Sequence, residues 1–369
     1  MVSNAYLGAT MKAAPIIVRT ATAVPGHSAT QDQVKERLRG LLALPARKMD
    51  AVMELFDHTA VERRFSVEPL SELGRPRGLG DVQRLYRENA IALGKKVSAE
   101  ALAAAGLQAR DIDLIVTTSC TGIMIPSLDA YLCNELGFRA DVRRLPITAL
   151  GCSGGAAALA RAHDFLVGFP EARALVVAVE LPSLSIQRAD LSLANLVSTA
   201  LFGDGAAAVV LEGGLLGEAR PVGQGVRVLD TLAHLFPTSE YALGFDLQDD
   251  GFHSVLSKDV PGLVKSEIAR LVRTLADRHE LTRDKLSCFV IHPGGRKVLA
   301  YIEEELGLRR DDTQLSWEVL RDFGNQSSAS VLFVLHEWLT KRQTPASAYG
   351  ILAAFGPGLS TEMLLLQWS

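Results

Sequence analysis

Short apolar runs alternate with amphipathic stretches along most of this chain, a pattern typical of proteins in which strands and helices follow each other. Runs of consecutive apolar residues in the first half predict buried strands, because both faces of such a strand avoid water. The predicted strands are Ile112–Thr118, Leu145–Leu150, Ala174–Val179 and Ala206–Leu211. The predicted helices are Thr30–Leu42, Asp81–Ala105, two that begin at Ser127 and Gly154, and one that ends near Leu201.

The second half shows the same order of elements. Its predicted helices are Gly262–Arg278, Arg296–Leu306 and Ser327–Leu339, and its predicted strands are Cys288–Ile291, Gly350–Phe355 and Met363–Gln367. The stretch from Gly213 to Gly251 matches neither half. We expect it to be an insertion of strands and loops that supplies walls for a substrate site.

The chain also matches itself residue by residue. The run Asp111–Gly122 recurs as Asp284–Gly295, and the same offset of 173 residues brings Gly151-Cys152 onto Gly324-Asn325. An internal duplication of one α/β unit explains this match, so an α/β fold with two pseudo-symmetric halves is expected. The predicted halves are residues 1–223 and 224–369.

Composition narrows the class of protein. The 369 residues are 48% apolar and 22% charged with a net charge of −4, so neither nucleic acid nor an anionic membrane is an expected partner. The first residues lack a basic segment followed by an apolar one, and no apolar run approaches a membrane span. The four cysteines, Cys120, Cys133, Cys152 and Cys288, lack paired spacing, which favours a reducing cytoplasm and no metal site.

Three residues at the matched positions form a candidate catalytic site. Cys152 precedes a predicted helix, whose N-terminal dipole is expected to lower the pKa of the thiol. His292 ends a predicted strand and is the expected partner of the thiolate. Asn325 occupies the place of the cysteine in the second half, where its amide can donate to a developing oxyanion.

Other interpretations of the same residues are weaker. Gly151–Gly155 satisfies the G-x-S-x-G pattern, which would make Ser153 the nucleophile of a hydrolase. The order of Cys152, His292 and Asn325 loosely matches papain-like proteases, although those enzymes lack an internal repeat. The duplication favours Cys152, because a hydrolase of the G-x-S-x-G type expects an acid and then a histidine downstream and no matching asparagine in a second copy.

Longer motifs resemble one family. Gly251-Phe252-His253, Ile291–Gly295, Phe323-Gly324-Asn325 and Phe355–Leu359 are similar to segments of the type III polyketide synthases, the chalcone-synthase-like branch of the thiolase superfamily. The resemblance implies a five-layered αβαβα fold, a homodimer, and Claisen condensation of acyl-CoA with malonyl-CoA without a cofactor. It identifies Cys152, His292 and Asn325 as the catalytic triad.

The resemblance also implies roles in substrate binding. Phe202 and Phe252 match gatekeeper residues between a CoA tunnel and the reaction cavity. The other candidate lining residues are Cys120, Ser185, Leu243 and Ser327, and the candidates for binding CoA at the tunnel mouth are Arg296 and Lys297.

Bacterial members resemble the chain more than plant members do, and they suggest two products. Segments such as Val142–Pro146 and Val331–Leu335 are similar to alkylpyrone and alkylresorcinol synthases, which implies a medium or long acyl starter. Ser119–Gly122 is instead similar to tetrahydroxynaphthalene and phloroglucinol synthases, which implies priming by malonyl-CoA. A ketoacyl-ACP synthase III and a Cys or Ser hydrolase remain as less favoured alternatives.

Overall fold

The computed structural model describes residues 14–220, 225–342 and 344–368. The predicted boundary between the two halves, at residues 223 and 224, lies outside these ranges. The first residues, which were predicted to lack an export signal, lie outside them as well. Within them, no helix is long and apolar enough to cross a membrane.

The strands are numbered in chain order. They are β1 (Ile16–Ala23), β2 (His27–Thr30), β3 (Arg63–Ser66), β4 (Leu114–Ser119), β5 (Arg143–Thr148), β6 (Arg173–Glu180), β7 (Gly205–Glu212), β8 (Val226–Leu235), β9 (Leu243–Gln248), β10 (Gly251–Leu256), β11 (Leu286–Ile291), β12 (Tyr349–Gly356) and β13 (Ser360–Trp368). Nine of them form one sheet in the order β11-β12-β13-β8-β1-β7-β6-β4-β5, while β2–β3 and β9–β10 form separate two-stranded sheets.

The helices are numbered in the same way. They are α1 (Gln31–Leu41), α2 (Ala46–Asp57), α3 (Leu79–Ala105), α4 (Leu128–Leu136), α5 (Gly154–Gly168), α6 (Leu193–Leu201), α7 (Gly214–Glu218), α8 (Val260–Asp277), α9 (Arg296–Leu306), α10 (Gln314–Phe323) and α11 (Ser330–Lys341). Local sequence explains several of the ends. Thr30, for example, caps α1 through reciprocal hydrogen bonds with Gln33.

The large sheet repeats one topology, as the internal match predicts. In the first half β4 and β6 are parallel and β7 is antiparallel to β6, whereas in the second half β11 and β12 are parallel and β13 is antiparallel to β12. The halves join where β1 pairs with β8, at Ile16 and Arg227. Within the described residues, β5 has no strand counterpart in the second half.

The layers follow from the alternation of side chains along each strand. Val116 and Leu352 face inward onto α5 and α11, while Ile115 faces α3 and Ile351 faces α8 and α9. The five layers are therefore the outer helix α3, the first half of the sheet, the central helices α5 and α11, the second half of the sheet, and the outer helices α8 and α9. This arrangement confirms the predicted five-layered α/β fold.

Two predictions about the elements were wrong. The run Leu145–Leu150 was expected to be buried, but β5 is the edge strand of the large sheet and most of its residues are exposed. The stretch Gly213–Gly251 is only partly an insertion, since β8 is a central strand and the counterpart of β1. Some apolar residues of this stretch lie in β8 and others lie in loops. The sequence pattern therefore did not predict β8 as a strand of the sheet.

The close packing of α5 against the start of α11 generates a prediction. A Cβ atom at Gly155 would lie 2.1 Å from the carbonyl oxygen of Ser328, whereas one at Gly168, in the same helix, would meet nothing within 4 Å. We expect Gly155→Ala to destabilise the protein by about 1–3 kcal/mol, because the two helices must move apart. Gly168→Ala should be neutral or slightly stabilising. Thermal unfolding of both variants checks this, and equal midpoints would contradict it.

Candidate active site

Cys152 lies at the centre of the fold. It belongs to a one-turn 3-10 helix, Gly151–Ser153, which joins β5 to the buried helix α5, and its side chain is 9% exposed. The small residues at the start of α5 let this helix fit between the two halves of the sheet. The thiol is therefore held at a helix N-terminus inside the protein.

Asn325 reaches the same place from the second half. Its backbone pairs with the end of α6, donating to the Leu201 carbonyl (2.9 Å) and accepting from the amide of Gly203 (3.0 Å). Its side-chain oxygen accepts from the amide of Ser327 (2.8 Å) and the hydroxyl of Ser330 (3.3 Å). These two donors fix the orientation of the amide, which leaves Nδ2 to donate toward the cavity, 3.9 Å from the sulfur of Cys152.

His292 follows β11, and its backbone amide donates to the carbonyl of Ala353 on β12 (2.8 Å). The side chain is 1% exposed, and neither ring nitrogen has a hydrogen-bond partner among the described residues. A buried imidazole without a partner is costly. The ring nitrogens are thus available to a bound substrate.

One cavity of about 820 Å³ joins these side chains. Of the residues predicted from the sequence, those lining it are Cys152, His292, Asn325, Cys120, Phe202, Leu243, Ser327, Arg296 and Lys297. Phe252 and Ser185 do not line it. Phe252 packs edge-on against Phe245, which does line the cavity, with 5.7 Å between ring centroids. The hydroxyl of Ser185 is buried and has no partner among the described residues.

A buried carboxyl group next to the nucleophile was missed by the sequence analysis. Glu180, at the end of β6, accepts hydrogen bonds from Thr121 (2.8 Å), Ser328 (2.5 Å), Ser119 (3.2 Å) and the backbone amide of Cys120. Burial raises the pKa of Glu180. Its only signal in the sequence is an acidic residue that ends an apolar strand.

Ser327 connects the two cysteines of the cavity. Its hydroxyl lies 3.3 Å from the sulfur of Cys120 and 3.7 Å from that of Cys152. Ser327 has a positive φ of 48°, a strained conformation for a residue with a side chain. This turn aims its hydroxyl at both sulfurs.

Burial controls the charges of the site. It raises the pKa of Cys152 to about 11 and lowers the pKa of His292 to about 3. The helix dipole was predicted to lower the pKa of this thiol, whereas burial raises it. A thiolate at Cys152 therefore needs a base that accepts the proton, and the unpartnered imidazole of His292 lines the same cavity.

The mouth of the cavity is positively charged. The basic residues that line it are His58, Lys258, Arg296 and Lys297. Among the described residues that line the cavity, none is an aspartate or a glutamate. Within the described ranges Lys258, Arg296 and Lys297 make no ion pair, so their charges are open to an anion. No role for Lys258 was predicted from the sequence.

Ser153 does not face the cavity. Its hydroxyl donates to the carbonyl of Leu150 (2.8 Å), and the residue is 1% exposed. A serine held in this way is a structural part of the turn, which argues against the hydrolase pattern.

Comparison with known proteins gives matches over both halves. Residues 12–214 match the N-terminal domain of the chalcone and stilbene synthases, and residues 228–368 match the C-terminal domain of the same family.

Two individual proteins are similar to this chain in sequence, and one solved structure is similar to it in both sequence and fold. A 1,3,6,8-tetrahydroxynaphthalene synthase of Streptomyces peucetius subsp. caesius is 40% identical, over 94% of this chain and 91% of its own length. The alpha-pyrone synthesis polyketide synthase-like Pks18 of Mycobacterium tuberculosis is 29% identical, over 95% of this chain and 91% of its own. The crystal structure of tetrahydroxynaphthalene synthase from Streptomyces coelicolor A3(2), a bacterial type III polyketide synthase, superposes with a TM-score of 0.90 at 35% identity, covering 96% of this chain and 99% of that one.

The pKa shifts generate a prediction about the reactivity of Cys152 toward iodoacetamide. In His292→Ala the thiol keeps only the effect of burial, so alkylation should be slow at neutral pH and should climb as the pH rises toward about 11. In the unmodified protein and in Asn325→Ala the imidazole still accepts the proton, and alkylation near pH 7 should be faster. Each unit by which the imidazole lowers the thiol pKa multiplies the thiolate fraction about tenfold. Equal rates for all three proteins at pH 7 would contradict this division of roles.

Proposed function

Because the chain belongs to the chalcone and stilbene synthase family of type III polyketide synthases, which are acyltransferases, we propose that Cys152 carries the growing chain through decarboxylative condensations with malonyl-CoA. The observation that carries this assignment is the convergence of a thiol, an unpartnered imidazole and an oriented amide in one cavity. Among the described residues, those that line the cavity include the cations Lys258, Arg296 and Lys297 and no carboxylate. No metal or prosthetic group takes part.

The first step loads the starter. His292 takes the proton of the Cys152 thiol, and the thiolate attacks the carbonyl carbon of the CoA thioester. Collapse of the tetrahedral intermediate breaks the bond to the sulfur of CoA, which leaves with a proton. The enzyme then carries the acyl group as a thioester of Cys152.

The second step forms the carbon–carbon bond. Malonyl-CoA loses CO₂, and the electron pair of the broken bond forms an enolate on the thioester oxygen. The amide of Asn325 and a ring N–H of His292 donate to this oxygen, and both side chains are buried, where such hydrogen bonds are strong. The enolate carbon attacks the acyl group on Cys152, the thiolate leaves, and the lengthened chain is now attached to CoA.

The cationic mouth suits the phosphate groups of CoA. Arg296 and Lys297 begin α9, so the positive end of this helix adds to their charges. Lys258 lies among the lining residues with them. We assign these three residues to CoA binding, with the acyl end of the substrate pointing toward Cys152.

For the product, we favour an aromatic polyketide made from malonyl-CoA alone. The relatives named tetrahydroxynaphthalene synthase support this choice, at 35–40% identity over nearly the whole chain. The hydroxyl of Ser327 contacts the sulfurs of both Cys120 and Cys152, so Cys120 lies near the nucleophile. Cys120 belongs to the segment Ser119–Gly122, which resembles tetrahydroxynaphthalene and phloroglucinol synthases. This choice departs from the alkylpyrone or alkylresorcinol expected from other segments.

A linear acyl starter is the second candidate, because the cavity lining is largely apolar. Leu243, Leu193 and Val197 line it, and each buried methylene of a starter contributes about 0.8 kcal/mol before ordering costs. The similarity to Pks18, whose name assigns it to alpha-pyrone synthesis, supports this candidate. Preference would then rise with starter length until the cavity is full.

A starter panel separates the candidates. The purified protein is incubated with malonyl-CoA alone and with malonyl-CoA plus acyl-CoAs from acetyl to stearoyl, and the products are identified by mass. We expect an aromatic pentaketide from malonyl-CoA alone. Triketide or tetraketide pyrones that form only with medium or long acyl-CoAs would establish the second candidate instead.

Two variants control this experiment. Cys152→Ala should abolish every polyketide, since no other group carries the chain, whereas Ser153→Ala should retain most of the product. The opposite result, or release of free acid without CO₂, would establish a hydrolase.

We also propose that the protein acts as a homodimer in the cytoplasm. The edge strand β5 is largely exposed, with Leu145 37% exposed, and Ile125 on the neighbouring loop is 94% exposed. An uncovered edge strand presents unpaired backbone groups with which a second chain can pair. All four cysteines are free, which agrees with a reducing compartment.

The dimer generates a prediction about mass in solution. Sedimentation equilibrium should give twice the chain mass of 39.7 kDa. A charge at the centre of the exposed edge, in Leu145→Asp, should shift the protein toward the monomer, because the carboxylate would be buried without a partner. The same change at Leu215, which is exposed on α7 outside this edge, should leave the mass unchanged. A monomeric parent protein would overturn the proposal.

A further inference from the structure

The hairpin formed by β9 and β10 stands apart from the nine-stranded sheet, yet it forms one wall of the reaction cavity. Leu243 and Phe245 of β9 and Ser254 and Leu256 of β10 are lining residues. A two-stranded hairpin is marginally stable by itself. Its position, and with it the shape of the cavity, therefore depends on the contacts that attach it to the rest of the protein.

His253 makes such a contact at the tip of the hairpin. Its Nε2 lies 2.8 Å from a carboxylate oxygen of Asp250, in the turn between the strands. Its Nδ1 lies 3.7 Å from a carboxylate oxygen of Asp190, in the loop that leads into α6. The imidazole thus bridges the hairpin and this loop, and its side chain is only 20% exposed.

Gln187 makes a second contact between the same two elements. Its side-chain amide donates to the carbonyl oxygens of Asp250 (3.2 Å) and Phe252 (3.5 Å). Gly251 permits this approach, since a Cβ atom there would lie 2.8 Å from the amide nitrogen and the residue has a φ of +130°. The segment Gly251-Phe252-His253 thus joins the hairpin tip to the loop, with Phe252 packed inward against Phe245.

The loop itself is rigidly attached to α6. Asn195, near the start of that helix, donates to the carbonyl oxygens of Gln187 (2.7 Å) and Asp190 (2.6 Å). The helix ends just before Phe202, which is also a lining residue of the cavity. A continuous set of contacts therefore runs from the hairpin tip, through the loop, to the helix that carries Phe202.

From this geometry we infer that His253 is a positioning residue: by bridging Asp190 and Asp250 it holds the β9–β10 wall in place and so sets the length of polyketide that the cavity admits. The inference rests on the proposed function, because it concerns the product of that reaction. His253 is not itself a lining residue of the cavity that holds Cys152. Its effect is on selectivity, and the chemistry at Cys152 does not require it.

The first test compares product ratios. His253→Ala and Asp190→Asn each remove the bridge to the loop, and each should change the ratio of longer to shorter polyketides by about threefold or more. His253→Gln, which keeps a donor, should restore part of the original ratio. His27→Ala is the matched control, since His27 is exposed on β2, and it should leave the ratio unchanged.

The second test needs no activity. Asp249 and Asp250 are exposed at the hairpin turn, so a protease that cleaves before aspartate reports how firmly the tip is held. Cleavage there should be faster in His253→Ala and in Asp190→Asn than in the parent protein. The double variant should be cleaved no faster than His253→Ala, because both changes break one contact.

The outcomes separate this inference from the proposed function. Unchanged product ratios and unchanged cleavage in Asp190→Asn would overturn the inference, even if His253→Ala failed to fold. Additive effects in the double variant would also overturn it. A parent protein that forms no polyketide would overturn the proposed function, while the cleavage experiment would still decide whether His253 fixes the hairpin.

Discussion

The site depends on one constraint: two helices, α5 and α11, are buried between the halves of the sheet, and the turns that precede them meet. Their packing is so close that Gly155 has no room for a methyl group against the Ser328 carbonyl. Cys152 lies in the turn between β5 and α5, and Asn325 lies in the turn between α10 and α11, so this contact brings the Cys152 sulfur and the Asn325 amide nitrogen to 3.9 Å. The oxyanion donor is thereby fixed beside the nucleophile without any flexible segment between them.

The same burial determines the chemistry that the site favours. Burial penalises isolated charges, which raises the pKa of the Cys152 thiol and lowers that of the His292 imidazole. Neutral donors such as the Asn325 amide become stronger in these surroundings. Lasting charge is confined to the mouth, where Arg296 and Lys297 remain exposed to water. A CoA thioester fits this division, with anionic phosphates at one end and an uncharged reacting carbonyl at the other.

Much of the candidate site could be predicted, because its members follow the internal repeat. Cys152 and Asn325 occupy equivalent positions, each in the turn before one of the two buried helices, and the pseudo-symmetric fold brings these turns together. Glu180 and His253 could not be found in this way, since neither has a chemical counterpart in the other half. Their importance comes from hydrogen bonds to residues far away in the chain, such as Ser328 and Asp190.

The sequence by itself determined the α/β order, the duplication and the identity of the reactive side chains, because these depend on local periodicity and residue chemistry. Only the tertiary structure decided which residues are buried and in which direction their side chains point. The apolar run at Leu145 proved to be an exposed edge, and Phe252 packs behind Phe245 while Phe202 faces the cavity. It also decided that Cys152 is buried, and this burial raises the pKa of its thiol. The burial and direction of a side chain depend on which elements, distant in the chain, pack over it. The residues next to it in the sequence do not determine this packing.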